Sequence, residues 1–297
     1  SWSPDGLRLT FQSTADTNGD GFVTFSDLPA VNVINSGGGA RALVAFGAYS
    51  VSPAWSPDGA SLAFVTFAED APQGIYTTSL FLITPDGGGR VQLTGADRMD
   101  QLPVWSPDGT RIAFVSTTDT TGDGLLDMLR DDSNLTVINR DGTGLLTLAR
   151  CDPFAEALAW SPDGTRIAYT YNGSLYTVES DSPGASFQLT GAGYEAKSPA
   201  WSPDGSSLAF TSNGRLYVIA ASGGTPVPLT PEDVVVRQPT WSPVTAGAAP
   251  EATGEATEEA TEEATAPAGE GEATGPAILP PDNVPASEAE GASEEGG

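Results

Sequence analysis

Two short stretches hold residues whose types and spacing could do chemistry, and that chemistry is cation binding. Asp16, Asn18, Asp20, Thr24 and Asp27 place side-chain oxygens at positions 1, 3, 5, 9 and 12 of a twelve-residue loop, with Gly21 at position 6. The backbone carbonyl of Phe22 falls at position 7, completing the spacing of a calcium loop built from hard oxygen donors. Asp119, Thr121, Asp123, Leu125 through its carbonyl, and Asp127 repeat the pattern around Gly124. There the twelfth position is Arg130, so the frame either runs one residue longer to Asp131 or is degraded. Ca²⁺ is the cofactor this spacing implies. The competing reading is a cluster of Asp, Asn and Gly residues that cap their own backbone.

Other chemistry finds little purchase. The 297 residues include no histidine, which removes Ser-His-Asp and Cys-His arrangements and the usual histidine zinc sites. No Gly-x-Ser-x-Gly elbow or glycine-rich phosphate loop occurs. A pair of acid/base carboxylates is conceivable among 39 acidic residues. Yet Asp58, Asp108, Asp163 and Asp204 recur in one phrase and read as turn formers. Cys151 is alone, so no disulfide forms within the chain.

The acidic inserts are strung between copies of that phrase. All six tryptophans, Trp2, Trp55, Trp105, Trp160, Trp201 and Trp241, begin Trp-Ser-Pro, and the first five continue Asp-Gly. Their spacing of roughly 40 to 55 residues is that of a repeat array. After each phrase comes an apolar run such as Leu62–Thr66, Ile112–Ser116, Ile167–Thr170 or Leu208–Thr211. A second run follows, at Val31–Ile34, Leu80–Ile83, Leu135–Ile138, Leu175–Val178 and Leu216–Ile219. Short runs ending in Leu-Thr close the units, as at Thr94, Thr190 and Thr230. Length, β-branched content and bounding turns make these strands, with hairpins at Asn172-Gly173 and Asn213-Gly214. Each tryptophan reads as an inter-unit packing residue.

Four strands per unit and no helical periodicity predict an all-β propeller of four-stranded blades, five of them from the residues present. The inner strand Val234–Trp241 is expected to close the sheet begun at residues 7–11. Because the chain opens inside a repeat phrase, it reads as a truncated or processed product, whose untruncated parent would naturally have six blades. Residues 1–244 form the propeller. Residues 245–297 hold 13 acidic residues, no basic ones and no aromatics, and read as a disordered tail.

Net charge is −27, with both parts acidic. That argues against nucleic acid and anionic membranes as partners and favours a protein or a small polar or basic ligand on a propeller face. No apolar stretch is long enough to insert in a membrane as a helix.

The phrases Pro53–Gly59, Pro103–Gly109 and Pro199–Gly205, each followed by Leu-Ala-Phe, Ile-Ala-Phe or a close variant, resemble the WD-like propeller repeats of the TolB family. The resemblance covers residues 1–243. It implies a non-enzymatic interaction scaffold at a periplasmic, cell-surface or secreted location in a prokaryote. The same repeats resemble the propellers of prolyl-oligopeptidase-like peptidases, which implies the alternative of a propeller whose catalytic domain is absent. A carbohydrate-active or other hydrolytic propeller is a further alternative.

Overall fold

A computed structural model describes residues 1–14, 29–39, 42–45, 49–67 and 77–242. The chain divides into two units, Ser1–Ala246 and Gly247–Gly297, and the second lies outside the described residues, as does the predicted acidic tail.

The first unit is a β-propeller of five antiparallel sheets, each an up-and-down meander. Sheet one has β1 (Arg8–Ser13), β2 (Ala30–Asn35) and β3 (Ala42–Ala45). Sheet two has β4 (Val51–Trp55), β5 (Leu62–Phe67), β6 (Thr78–Ile83) and β7 (Val91–Gln92). Sheet three has β8 (Arg98–Trp105), β9 (Arg111–Thr118), β10 (Ser133–Asn139) and β11 (Leu146–Arg150). Sheet four has β12 (Ala159–Trp160), β13 (Arg166–Tyr171), β14 (Ser174–Glu179) and β15 (Ser186–Gln188). Sheet five has β16 (Ala196–Trp201), β17 (Ser207–Ser212), β18 (Arg215–Ala220) and β19 (Val227–Pro228). The described helical structure is a single 3₁₀ turn, Ala192–Tyr194.

The second strand of each blade reads as a nearly unbroken apolar run because it is covered on both faces. Leu62, Ala63 and Phe64 of β5 are fully buried, as are Ile112 to Val115 of β9. Alternation sends Phe64 into the layer between sheets one and two and Ala63 into the next. Four such layers separate the five sheets, and each contains one tryptophan: Trp55, Trp105, Trp160 or Trp201.

Three inner strands carry the same bulge. Ser52, Leu102 and Ser198 have φ of 53°, 54° and 49°, each just before a proline, where the register slips. Proline cannot donate to the ladder, so the break in pairing falls where its missing N–H is tolerated. Leu158 stands at that place in sheet four, whose inner strand β12 is the shortest.

Three tryptophans are pinned twice, whereas Trp55 has the arginine contact alone, its buried indole N–H making no hydrogen bond among the described residues. The indole N–H of Trp105 donates to Ala54 O, that of Trp160 to Val104 O and that of Trp201 to Ala159 O, each at 3.1 Å. In every case the acceptor precedes the previous blade's tryptophan. An arginine covers the other side: Arg8 lies 4.6 Å from the Trp55 ring, Arg111 5.0 Å from Trp160 and Arg166 4.7 Å from Trp201. All three sit six residues after their own blade's tryptophan. Sheet two has Ser61 there, and Arg140 takes over from β10's end, lying 5.3 Å from Trp105 and donating to Ser61 Oγ and Asp58 Oδ2.

The expected closure of sheet one by Val234–Trp241 is corrected by the structure. Ser1 and Trp2 hold the β1 edge, through paired bonds of 2.8 Å between Ser1 and Thr10 and a bridge from Trp2 to Leu9. Val234–Trp241 instead lies against sheet five, with Val236 N–H on Gly214 O and the Trp241 indole on Ala200 O. Trp241 therefore extends the indole–carbonyl series by one more step. A proline-containing segment that lies against sheet five without forming a strand has no free ladder to offer β1.

The pinning predicts unequal sensitivity to a common substitution. Trp160→Phe, which removes an indole hydrogen bond and part of a cation–π contact, should cost about 1–2 kcal/mol in urea unfolding. Trp2 is 58% exposed with neither contact, so Trp2→Phe should change stability by less than about 0.5 kcal/mol.

Candidate functional site

The recurring aspartates are structural, as their repetition implied. In each Trp-Ser-Pro-Asp-Gly turn the serine hydroxyl donates to the carboxylate, which also accepts the N–H two residues on, as Asp58 does from Ser56 and Ala60. The serine oxygen then accepts the N–H five residues on. The glycine takes positive φ, +67° at Gly59. These donors hold the carboxyls of Asp108, Asp163 and Asp204 below the usual range, Asp204 at about 2. Asp58 is lowest, because Arg140 adds the strongest of its bonds. Acceptors so committed are poor proton donors near neutrality.

The Leu-Thr endings have a related task. The Thr94, Thr190 and Thr230 hydroxyls accept the amides of Leu80, Leu175 and Leu216 across the blade, at 2.8, 2.9 and 3.0 Å. They thereby continue pairing where the outermost strand has ended.

Of the two acidic inserts, Asp16–Asp27, with Asn18, Asp20, Phe22 and Thr24, lies outside the described residues. The second joins β9 to β10 and is built around Asp131. Its carboxylate accepts the N–H groups of Thr120, Thr121 and Asp127, and these bonds hold it at about 2. Asp119 accepts from Gly122 and Gly124, Asp123 from Leu125, and Asp127 from Leu129. Thr121 donates to Asp119, and Arg130 lies 3.4 Å from Asp123. The donor set is all oxygen and suits Ca²⁺ in kind. In the described conformation the carboxylates turn toward loop amides, and among the described residues no three acidic, His or Cys side chains converge as a metal-binding group.

Two titratable groups depart from the repeats. Cys151 is buried and desolvation pushes its thiol well up, leaving it unreactive. Asp100, on β8, is 2% exposed, and burial raises its carboxyl to about 6 against the pull of Thr94 and Arg98. Thr94 donates to one oxygen. The other, like the Ser116 hydroxyl across the β8–β9 register, makes no hydrogen bond.

A cavity of about 780 Å³ opens where the inner strands of sheets three to five begin. Leu102, Ala155, Val235 and Val236 supply its apolar wall, and Glu156, Lys197 and Arg237 are among its polar groups. Glu156 accepts from Ser198 at 2.8 Å and pairs with Lys197 at 3.2 Å. Sequence reasoning singled out neither this group nor Asp100. Both depend on residues that occur once, outside the repeated phrase.

Repetition, the Trp–Arg stacking and the serine–aspartate turns define a repeat-built β-propeller. A model of the TolB beta propeller domain matches residues 1–245, and the chain belongs to that family. Among curated proteins none matches. Solved structures with similar folds include TolB from Acinetobacter baumannii, at 17% identity and a TM-score of 0.52 over 76% of this chain and 53% of that one. A putative TolB from Agrobacterium tumefaciens matches at 19% identity and 0.52, over 77% of this chain and 79% of that one. An oligogalacturonate lyase in complex with manganese matches at 14% and 0.50, over 77% and 63%. At these identities the likeness is one of fold. The chain spans about half the length of the Acinetobacter protein.

Asp100 yields a prediction whose sign is fixed by its raised pKa. The folded carboxyl holds its proton more tightly than the usual 3.8, so its contribution is intact below that pH and is lost as pH rises through about 6. Asp100→Asn keeps the shape, and its amide can donate to Ser116. It should stabilise the protein by about 2 kcal/mol at pH 7, with the gain fading toward pH 4. Urea unfolding at both pH values checks this.

Proposed function

We propose that this chain is a non-catalytic interaction scaffold, binding a protein or a small polar or basic ligand on a propeller face. The observation that carries the reading is the commitment of its recurring chemical groups to the frame. The turn aspartates are saturated by hydrogen bonds, four arginines are stacked on indoles, and the raised carboxyl of Asp100 is sealed from solvent. What remains for recognition is a rigid acidic surface, on a chain of net charge −27 whose residues 245–297 supply 13 of the acidic groups, suited to a basic partner. The periplasmic, cell-surface or secreted setting rests on the TolB resemblance. Calcium belongs to the same proposal: in both inserts it would be gathered by Asp, Asn and Thr oxygens and would stiffen the loops by binding the folded state.

The test pairs binding with turnover. A lysine-rich peptide should bind with an affinity that falls as salt rises, and oligogalacturonate and peptide substrates should show no turnover with Ca²⁺ or Mn²⁺ present. Turnover abolished by changing one acidic residue, with the fold intact, would overturn the scaffold. In calorimetry the wild type should release calcium-dependent heat, reduced in Asp16→Ala/Asp20→Ala and in Asp119→Ala/Asp123→Ala. No heat in the wild type would remove calcium while leaving the scaffold standing.

A further inference from the structure

Cations are scarce in this chain and most of the described ones are engaged. Four arginines cover indoles, and Arg98, Arg130, Arg150 and Arg215 each hold a carboxylate. Arg237 differs. Among the described residues its guanidinium makes no ion pair or hydrogen bond, and it lines the 780 Å³ cavity. The segment bearing it is fixed on both sides, by Val236 N–H on Gly214 O and by the Trp241 indole on Ala200 O.

Lys197 borders the same space. Its ammonium spends one contact on Glu156, and Arg237 is close enough for its charge to favour the ionised form of that same carboxylate. Two cations, Lys197 and Arg237, thus share the lining with two carboxylates, Glu156 and Glu195, and of the two cations only Arg237 has no ion pair among the described residues. Beside them Leu102, Ala155, Val235 and Val236 form an apolar wall. Glu195, held at a φ of 47°, adds a negative charge to the lining and would repel any second anionic group on a ligand.

We propose that this cavity binds a single carboxylate carried on a short apolar body, with Arg237 as its anchor and Lys197 as the second cation. Guanidinium suits the head group because its planar fork can donate two parallel bonds to one carboxylate. The apolar wall receives the body. Glu156 acts as an internal competitor, occupying Lys197 until a ligand carboxylate shares it. The site goes beyond the scaffold reading and does not depend on it: a propeller with no protein partner would still hold a carboxylate here.

Two sources share this chemistry, a short-chain organic acid and the C-terminus of an apolar peptide. Calorimetry on the full chain would use hexanoate and N-acetyl-leucine as probes, with hexanamide and N-acetyl-leucinamide as neutral counterparts. At least one acid should bind, about tenfold or more tighter than its amide, as expected for charge-assisted bonds. The tighter acid identifies the source. Arg237→Gln should weaken it about tenfold without moving the melting temperature, since that side chain holds nothing in the fold. Glu156→Gln, which releases Lys197, should strengthen it. Binding of neither acid, equal binding of acid and amide, an unaltered affinity in Arg237→Gln, or weaker binding in Glu156→Gln would each overturn the site.

Discussion

Everything else in this propeller hangs on one contact, the indole N–H of Trp105, Trp160, Trp201 and Trp241 reaching back to a carbonyl of the blade before it. A sheet with two apolar faces cannot stand alone in water, so each blade is stable only as part of a stack. Burial supplies the attraction between blades but is non-directional. The indole N–H supplies the register, because it can be satisfied only when the neighbouring carbonyl sits opposite. The arginine on the ring's other side then seals the layer's rim while leaving its charge near water.

That arrangement dictates where chemistry can and cannot reside. A repeat that spends its aspartates on turns and its arginines on indoles leaves a uniform frame whose repeated polar groups are largely engaged with one another. Distinctive groups come from what is not repeated, namely the inserts between outer strands and the single residues around the cavity at sheets three to five. Likeness to other propellers carries the fold alone.

The frame was legible in the sequence because it is periodic. The strands containing Leu62, Ile112, Ile167 and Leu208 start at or one residue before the apolar runs, and both Asn-Gly hairpins turn as expected. The arginine layer was also written there, at a constant six residues after Trp2, Trp105 and Trp160, but Ser61 and Ser207 interrupt it. Only the structure shows Arg140 filling one of those places from another strand. The C-terminal segment Val234–Trp241, expected as an inner strand closing sheet one, forms no regular strand and lies against sheet five. Pattern marks a candidate strand, whereas its pairing depends on which edge is already taken, here by Ser1 and Trp2. Asp100 and the Arg237 cavity had no sequence signal, since one buried aspartate or one free arginine looks like any other.

The central claim, that indole–carbonyl bonds set the blades, is tested most directly by hydrogen exchange at the six tryptophan side-chain N–H groups, followed by NMR. Trp105, Trp160 and Trp201 should exchange slowest, Trp241 should be protected too, and Trp2, 58% exposed and with no indole partner among the described residues, should exchange fastest. Six indoles exchanging at one common rate, or Trp160 exchanging as fast as Trp2, would contradict the account.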